Sequence, residues 1–187
     1  MSFNRAWLFA KLSLCLALLP WLVHADVRPL PTVASVNLDR YQGRWYEIAR
    51  LPMWFERNCI GDVTATYAVR QDGHINVVNR CRTEAGFISA QGIAEIPDSA
   101  YPGQLRVRFA PEWLAWLPMV WGDYWILDLD SEYRWVMIGA PSRNTLWILA
   151  RTPTLDQGTT DRLKRKAVSL GFDVTSMVDV SNTRVPD

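Results

Sequence analysis

Side chains able to do covalent or metal chemistry are scarce in this 187-residue chain: two histidines, His24 and His74, and three cysteines, Cys15, Cys59 and Cys81. A Ser-His-Asp or Cys-His device needs a histidine beside its nucleophile. His74 instead follows Gln71-Asp72-Gly73, a tight turn in which Asp-Gly readily supplies positive φ. Zinc sites of the His/Cys type want about four such ligands, and no Gly-rich phosphate loop opens a helix. No catalytic residue, no metal and no cofactor is therefore expected; a histidine-ligated haem is disfavoured, while a tyrosine ligand stays open. The 20 Lys plus Arg are matched by 19 Asp plus Glu, without the basic excess that phosphate neutralisation demands, so no nucleic-acid partner is expected. The over-represented residue is tryptophan, with ten copies, and its chemistry is contact: ring packing, cation–π pairing, and a seat between apolar and wet surroundings.

Residues 1–25 read as a secretory signal. Arg5 and Lys11 flank the start of a mostly apolar run from Leu12 to Val23, and Val23-His24-Ala25 supplies permissive residues before Asp26. That run is too short for a membrane helix, which needs about 20 apolar residues. Cys15 raises lipoprotein processing as an alternative, but it follows Leu14 rather than a small residue and lies inside the run, so soluble export to the periplasm is expected over a lipid anchor. A single domain over 26–187 then keeps one histidine, two cysteines and eight tryptophans, with 18 basic against 19 acidic residues. An even pair of cysteines in an exported chain defaults to a disulfide, Cys59 to Cys81, with two free thiols or a metal pair as the alternative.

The elements that must position these residues are strands. Past an extended lead-in at 26–36, turn signals recur about every eight to twelve residues between β-branched and aromatic runs, the pattern of an all-β sandwich or barrel. The runs fall at 44–50, 63–70, 74–82, 87–96, 104–109, 123–129, 135–138 and 145–151, and eight strands suit a closed antiparallel up-and-down barrel. In Gln104-Leu105-Arg106-Val107-Arg108-Phe109 the alternation turns Arg106 and Arg108 toward water. Helical spacing occurs once, over 159–170, where Leu163, Ala167 and Leu170 fall at i, i+4 and i+7 and Gly171 is a natural stop. That helix should pack outside the sheet, and residues 174–180 can add a short strand.

Three blocks in order carry a family resemblance. Gly43-Arg44-Trp45-Tyr46-Glu47-Ile48-Ala49-Arg50, Tyr124-Trp125-Ile126-Leu127-Asp128-Leu129-Asp130 and Leu146-Trp147-Ile148-Leu149-Ala150-Arg151-Thr152-Pro153 resemble the conserved blocks of the lipocalins, and within them the bacterial group related to outer-membrane lipocalin and apolipoprotein D. The resemblance covers residues 36–180 and implies an all-β fold, an eight-stranded antiparallel up-and-down β-barrel with one C-terminal α-helix packed outside. It implies that Trp45 plugs the narrow end, that Arg151 stacks over it for about 0.5–2 kcal/mol, and that Gly43 permits a close approach of the lead-in. It also implies a binding protein rather than an enzyme, one that stores or transports a fatty acid, lysophospholipid or similar lipid in the cell envelope. A lipid- or isoprenoid-modifying enzyme in the same barrel, or an envelope protein docking through its Trp-rich loop, are the alternatives.

Alternation in that register points Trp45, Glu47, Ala49, Val63, Ala65, Ile88, Ala90, Gly92, Leu105, Val107 and Asp128 inward, together with the residues expected to touch ligand. These are Tyr67, Val77, Asn79, Phe109, Tyr124, Ile126, Trp135, Met137, Trp147 and Leu149. Glu47 and Asp128 are expected as hydrogen-bonded structural groups near the closed end, and Arg50 or Arg143 as a head-group contact at the rim. For any one of these positions, plain packing of a small barrel's interior is the competing reading. Residues 110–122 hold Trp113, Trp116 and Trp121 in a connection too long for a tight turn and too short to cross a bilayer. It falls at the open mouth, as a lid, a membrane-surface contact or a homodimer contact.

Overall fold

The computed structural model describes residues 29–183; the signal segment with Cys15 lies outside them. Its strands are β1 (Gly43–Arg50), β2 (Gly61–Val69), β3 (Ile75–Thr83), β4 (Gly86–Glu95), β5 (Gln104–Arg108), β6 (Trp121–Leu129), β7 (Trp135–Gly139), β8 (Leu146–Ala150) and β9 (Val178–Asp179). Each neighbour in the chain pairs antiparallel with the next, β8 pairs with β1 and β1 with β2, so eight strands close into a barrel. The short β9 pairs antiparallel with Ala49 and Arg50 of β1, beyond the stretch of β1 that pairs with β2. Short hairpins suffice for this order, because antiparallel neighbours need no crossover.

Two helices serve the two sides of the wall. The lead-in is not wholly extended: α1 (Leu38–Tyr41) forms where Asn37 Oδ1 accepts from the Arg40 amide at 3.1 Å, and it rolls Tyr41 under the barrel. The long helix α2 (Gln157–Ser169) starts at Asp156, whose carboxylate accepts from the Thr159 amide at 2.8 Å. Its stripe of Leu163 and Ala167 is fully buried against Ile148, Ala150 and Phe172. Gly171, at φ +88°, ends it, and Arg143 Nε donates to the Leu170 carbonyl at 2.8 Å. Arg143 therefore braces a helix terminus rather than standing ready at the rim.

The faces of three strands differ from the expected ones. β1 carries an extra residue between Glu47 and Ala49 relative to β8, and β6 carries one between Ile126 and Asp128 relative to β7. One inserted residue turns every later side chain to the opposite face. Ala49 consequently faces outward opposite Ile148, and Asp128 faces α2, where Lys166 and Arg162 approach it at 2.9 and 3.6 Å. Trp135 and Met137 also point outward, opposite Ala150 and Ile148, with Arg162 4.7 Å over the Trp135 ring. Val136 and Ile138 take the inward places instead, opposite Leu149 and Trp147. β7 and β8 are covered on both faces, by lumen and by helix, so no polar position sets their phase in the sequence.

The two ends of the barrel differ in kind. At the closed end Trp45 is fully buried, its indole donates to the Tyr41 carbonyl at 2.8 Å, and the Arg151 guanidinium lies 3.9 Å above its ring. Arg151 also donates to the Arg44 and Arg40 carbonyls at 3.0 and 2.6 Å. Gly43, at φ +91°, holds a left-handed backbone that favours glycine at the start of β1, while a Cβ there would make only ordinary contact, 3.4 Å, with the guanidinium. At the open end a Cys59–Cys81 disulfide ties the β1–β2 connection to the end of β3. Closing a loop of this size contributes about 3 kcal/mol.

Candidate functional site

Above the Trp45 plug the barrel is hollow. A cavity of about 490 Å³ is lined by Val63, Ala65, Tyr67, Val77, Asn79, Val107, Phe109, Tyr124, Ile138, Trp147 and Leu149, and by the mouth residues Phe55, Val120 and Trp121. That volume lies within the range of small-molecule sites. Of the residues expected to touch ligand, Tyr67, Val77, Asn79, Phe109, Tyr124, Trp147 and Leu149 line it. Ile126 points inward but is sealed into the packed floor with Trp45 and Val136, and Trp135 and Met137 belong to the layer under α2. A side recess of about 340 Å³ shares Phe55, Glu56, Val63, Asn79 and Phe109 with the main cavity and adds Ile88 and Ala90.

The side recess exists because the barrel is unzipped there. β4 pairs with β5 only from Ile93 to Glu95, leaving Gly86 to Gln91 without a partner on that side. Gly92 lets the Phe109 ring close the lower part of this slit, since a Cβ on Gly92 would meet that ring at 2.8 Å.

The floor and the wall carry the polar groups. Tyr41 and Tyr67 each share a hydrogen bond with the Tyr124 hydroxyl, at 2.7 and 2.8 Å. Burial above all pushes these three phenols above their usual range, so they stay neutral. Higher up, the β1 bulge turns Glu47 and Arg50 to the same inner side. Arg50 meets Glu47 at 3.1 Å and Glu56 at 2.6 Å, all three side chains being 12% exposed or less. Burial, and then the neighbouring Glu56, raise the Glu47 carboxyl to about 8 against the pull of Arg50; burial raises Glu56 as well. Glu47 is thus a wall residue of the cavity rather than a group at the closed end, and Arg50 is committed to two carboxylates rather than free for a head group. Glu56, Phe55 and Thr145 were not singled out from the sequence; an acid inside Met53-Trp54-Phe55-Glu56 was the available cue.

A titration consequence follows from Glu47. Its folded-state value lies above the unfolded one, so its protonation stabilises the fold fully below the unfolded value, and this contribution is lost as pH rises toward about 8. Glu47→Gln keeps the neutral form and is expected to flatten the fall in melting temperature between pH 5 and 9. Calorimetry across that window checks it; parallel wild-type and variant profiles would place the titration elsewhere.

The mouth is edged with uncovered apolar rings. Trp113 and Trp116 are 73% and 76% exposed, Trp54, Phe55 and Met119 are likewise exposed on the loops of the same end, and Phe87 and Ile88 on the start of β4. The Trp-rich connection is folded as two short 3-10 turns that hold Trp113 and Trp116 away from the cavity. Only Trp121 turns in: its indole donates to the Ala115 carbonyl at 2.8 Å, and Arg106 and Arg108 lie over its ring at 4.4 and 5.2 Å. Arg108, expected in water, is buried under this loop and pairs with Glu112. The strand alternation fixed its face, but the loop folds back over that face.

Known proteins agree with this geometry. The lipocalin-like domain family model matches residues 36–182. Temperature-induced lipocalin-1 of Arabidopsis thaliana is 37% identical over 164 residues, covering 86% of this chain and 87% of that protein. Outer membrane lipoprotein Blc of Escherichia coli K12 is 35% identical over 153 residues, 81% of this chain and 82% of that one. Apolipoprotein D of Mus musculus is 31% identical over 173 residues, 88% of this chain and 87% of that one. Among solved structures, insecticyanin of the tobacco hornworm Manduca sexta superposes with a TM-score of 0.62 at 19% identity, covering 82% of this chain and 85% of that one, a likeness of fold.

Proposed function

The chain belongs to the lipocalin family, whose barrels bind small hydrophobic molecules, and on that premise we propose that it stores or carries a single-chain lipid, of the size class of a fatty acid or lysophospholipid, in the cell envelope. The observation that carries this reading is the apolar cavity of about 490 Å³ that continues to an open mouth. Each methylene buried there contributes about 0.8 kcal/mol, so a chain of moderate length suffices for tight binding. The disulfide supports an oxidising compartment, and relatives named outer membrane lipoproteins support the envelope. Soluble export remains the proposed form, and mass spectrometry of the mature N-terminus decides it, because an acylated Cys15 would replace it with an anchored one. Native mass spectrometry of protein purified from the envelope tests the cargo. A co-purifying lipid is the expected result; conversion of that lipid on incubation would move the assignment to a lipid- or isoprenoid-modifying enzyme.

The exposed rings of two mouth loops and of the start of β4 favour a second part to this reading: contact with a membrane surface, from which an apolar cargo enters without crossing water. Trp113 and Trp116, being uncovered, are better placed for that than for a lid. Replacing both by alanine is expected to weaken co-sedimentation with phospholipid vesicles at least about tenfold while lipid binding in detergent persists. A dimer in sedimentation analysis that the same substitutions dissociate would assign the surface to self-association instead.

A further inference from the structure

The cavity wall is chemically one-sided. Three carboxylate residues, Glu47, Glu56 and Asp123, line the main cavity, and no Lys, Arg or His does among the described residues. The guanidinium behind that wall, Arg50, is already divided: it meets Glu47 Oε1 at 3.1 Å and Glu56 Oε2 at 2.6 Å and donates to the Glu56 carbonyl at 3.4 Å. One cation can meet only one of two ionised acids, so the second acid keeps its proton until another cation arrives. Glu47 is 3% exposed, and its Oε1 accepts from Arg50. Two buried atoms of the same lining, Asn79 Oδ1 and Thr145 Oγ1, have no hydrogen-bond partner among the described residues. An amide oxygen can only accept, and a buried acceptor left alone costs about 1–3 kcal/mol. The lumen therefore holds buried polar atoms without partners and an acid whose ionised form has no cation of its own, and a ligand that brings donors and a positive charge answers both.

We propose that the lumen selects an amphiphile whose polar end is an ammonium or amino-alcohol group seated against Glu47 and Glu56, and that it rejects the free carboxylate of the same chain length. The inference deepens the carrier reading and rests on it. Phe55, Phe109 and Trp147 line the same space, and aromatic rings are surroundings in which an ammonium is favoured. A carboxylate brought there adds a like charge beside Glu56, whose cation Arg50 is already shared, while Arg80 of the side recess lies over the Phe87 ring at 4.0 Å. Turned head-down, it reaches only the neutral tyrosine hydroxyls of the floor, already linked to one another through Tyr124.

The seat also makes binding a proton exchange. The groups that face Glu47 are Arg50 on β1, Glu56 in the β1–β2 connection and Tyr67 on β2. With the tyrosines neutral and Arg50 shared, the proton of the cluster resides on Glu47, as its raised carboxyl value requires. An entering ammonium pairs with the carboxylate, and that proton passes to solvent; an uncharged alcohol releases none.

The test uses hexadecylamine, hexadecan-1-ol and hexadecanoate, each below its aggregating concentration, titrated into purified protein freed of co-purified lipid. Tryptophan fluorescence reads affinity, and calorimetry in two buffers of different ionisation heat reads proton release. At pH 7 the amine is expected to bind at least about tenfold more tightly than the acid, with the alcohol between them and proton release for the amine alone. In Glu47→Gln the amine-to-acid ratio should fall toward one and the proton release vanish, with folding checked by thermal unfolding. Glu56→Gln, expected to collapse the ratio in the same way, stands in if the first variant does not fold. Equal binding of amine and acid by the wild type, or an unchanged ratio in a folded variant, overturns the selectivity and leaves the carrier reading in place. No binding by any of the three overturns both.

Discussion

Trp45→Ala is expected to lower the free energy of unfolding by about 3–5 kcal/mol, a large fraction of the roughly 5–15 kcal/mol that holds a domain of this kind folded. The ring is fully buried and is a member of the packed floor, not of the cavity lining. Its loss leaves a void between Tyr41, whose ring centroid is 5.1 Å away, and the Arg151 guanidinium at 3.9 Å. It also deprives the Tyr41 carbonyl of its indole donor. Arg151 would keep its bonds to the Arg40 and Arg44 carbonyls, so the damage should fall on the floor and on α1 rather than on the mouth. Urea unfolding measures the effect, and a change below about 1 kcal/mol would contradict the plug. A double-mutant cycle with Arg151→Ala isolates the ring–guanidinium coupling, expected at about 0.5–2 kcal/mol.

The plug was readable because it sits where local pattern and fold agree. Gly43, Trp45 and Arg151 stand at strand ends whose spacing repeats in the family, and β2 and the first half of β3 alternate cleanly between a wet face and a lumen face. The errors cluster where that contrast is missing. β7 reads Trp-Val-Met-Ile-Gly, buried almost throughout, so alternation has no polar residue to set its phase, and Trp135 and Met137 lie on the side opposite to the expected one. Bulges in β1 and β6 leave no compositional mark, yet they send Ala49 and Asp128 outward and bring Arg50 round beside Glu47. The acidic character of the lumen depends on that turn of the chain together with Glu56, which arrives from a loop. The burial of Arg108 is likewise a tertiary event, since a loop that returns over its own strand is invisible to alternation. α1 escaped notice because four residues carry too little helical periodicity to read.

The largest expected effect on binding comes from Val63→Trp, and its force lies in the comparison with Met137→Ala. Val63 points inward from β2 and lines both the main cavity and the side recess. An indole there occupies the space where an acyl chain would run. Tryptophan is accommodated in strands, and because the new ring enters a void rather than packed atoms, the overpacking cost should stay at the lower end of about 1–3 kcal/mol. Excluding about four methylenes removes about 3 kcal/mol of burial, a loss in lipid affinity of roughly 100-fold. Met137 is fully buried in the layer between the barrel wall and α2, beside Ile148, Leu163 and Ala167. Met137→Ala should therefore cost about 2–5 kcal/mol of stability and leave lipid affinity unchanged in the folded protein. Fluorescence titration and urea unfolding on the two variants separate the faces: the first should lose binding and keep its fold, the second the reverse. If Met137→Ala weakened binding as strongly as Val63→Trp, the β7 side chains would have to point into the lumen after all, and the outward packing of Trp135 and Met137 against α2 would be wrong.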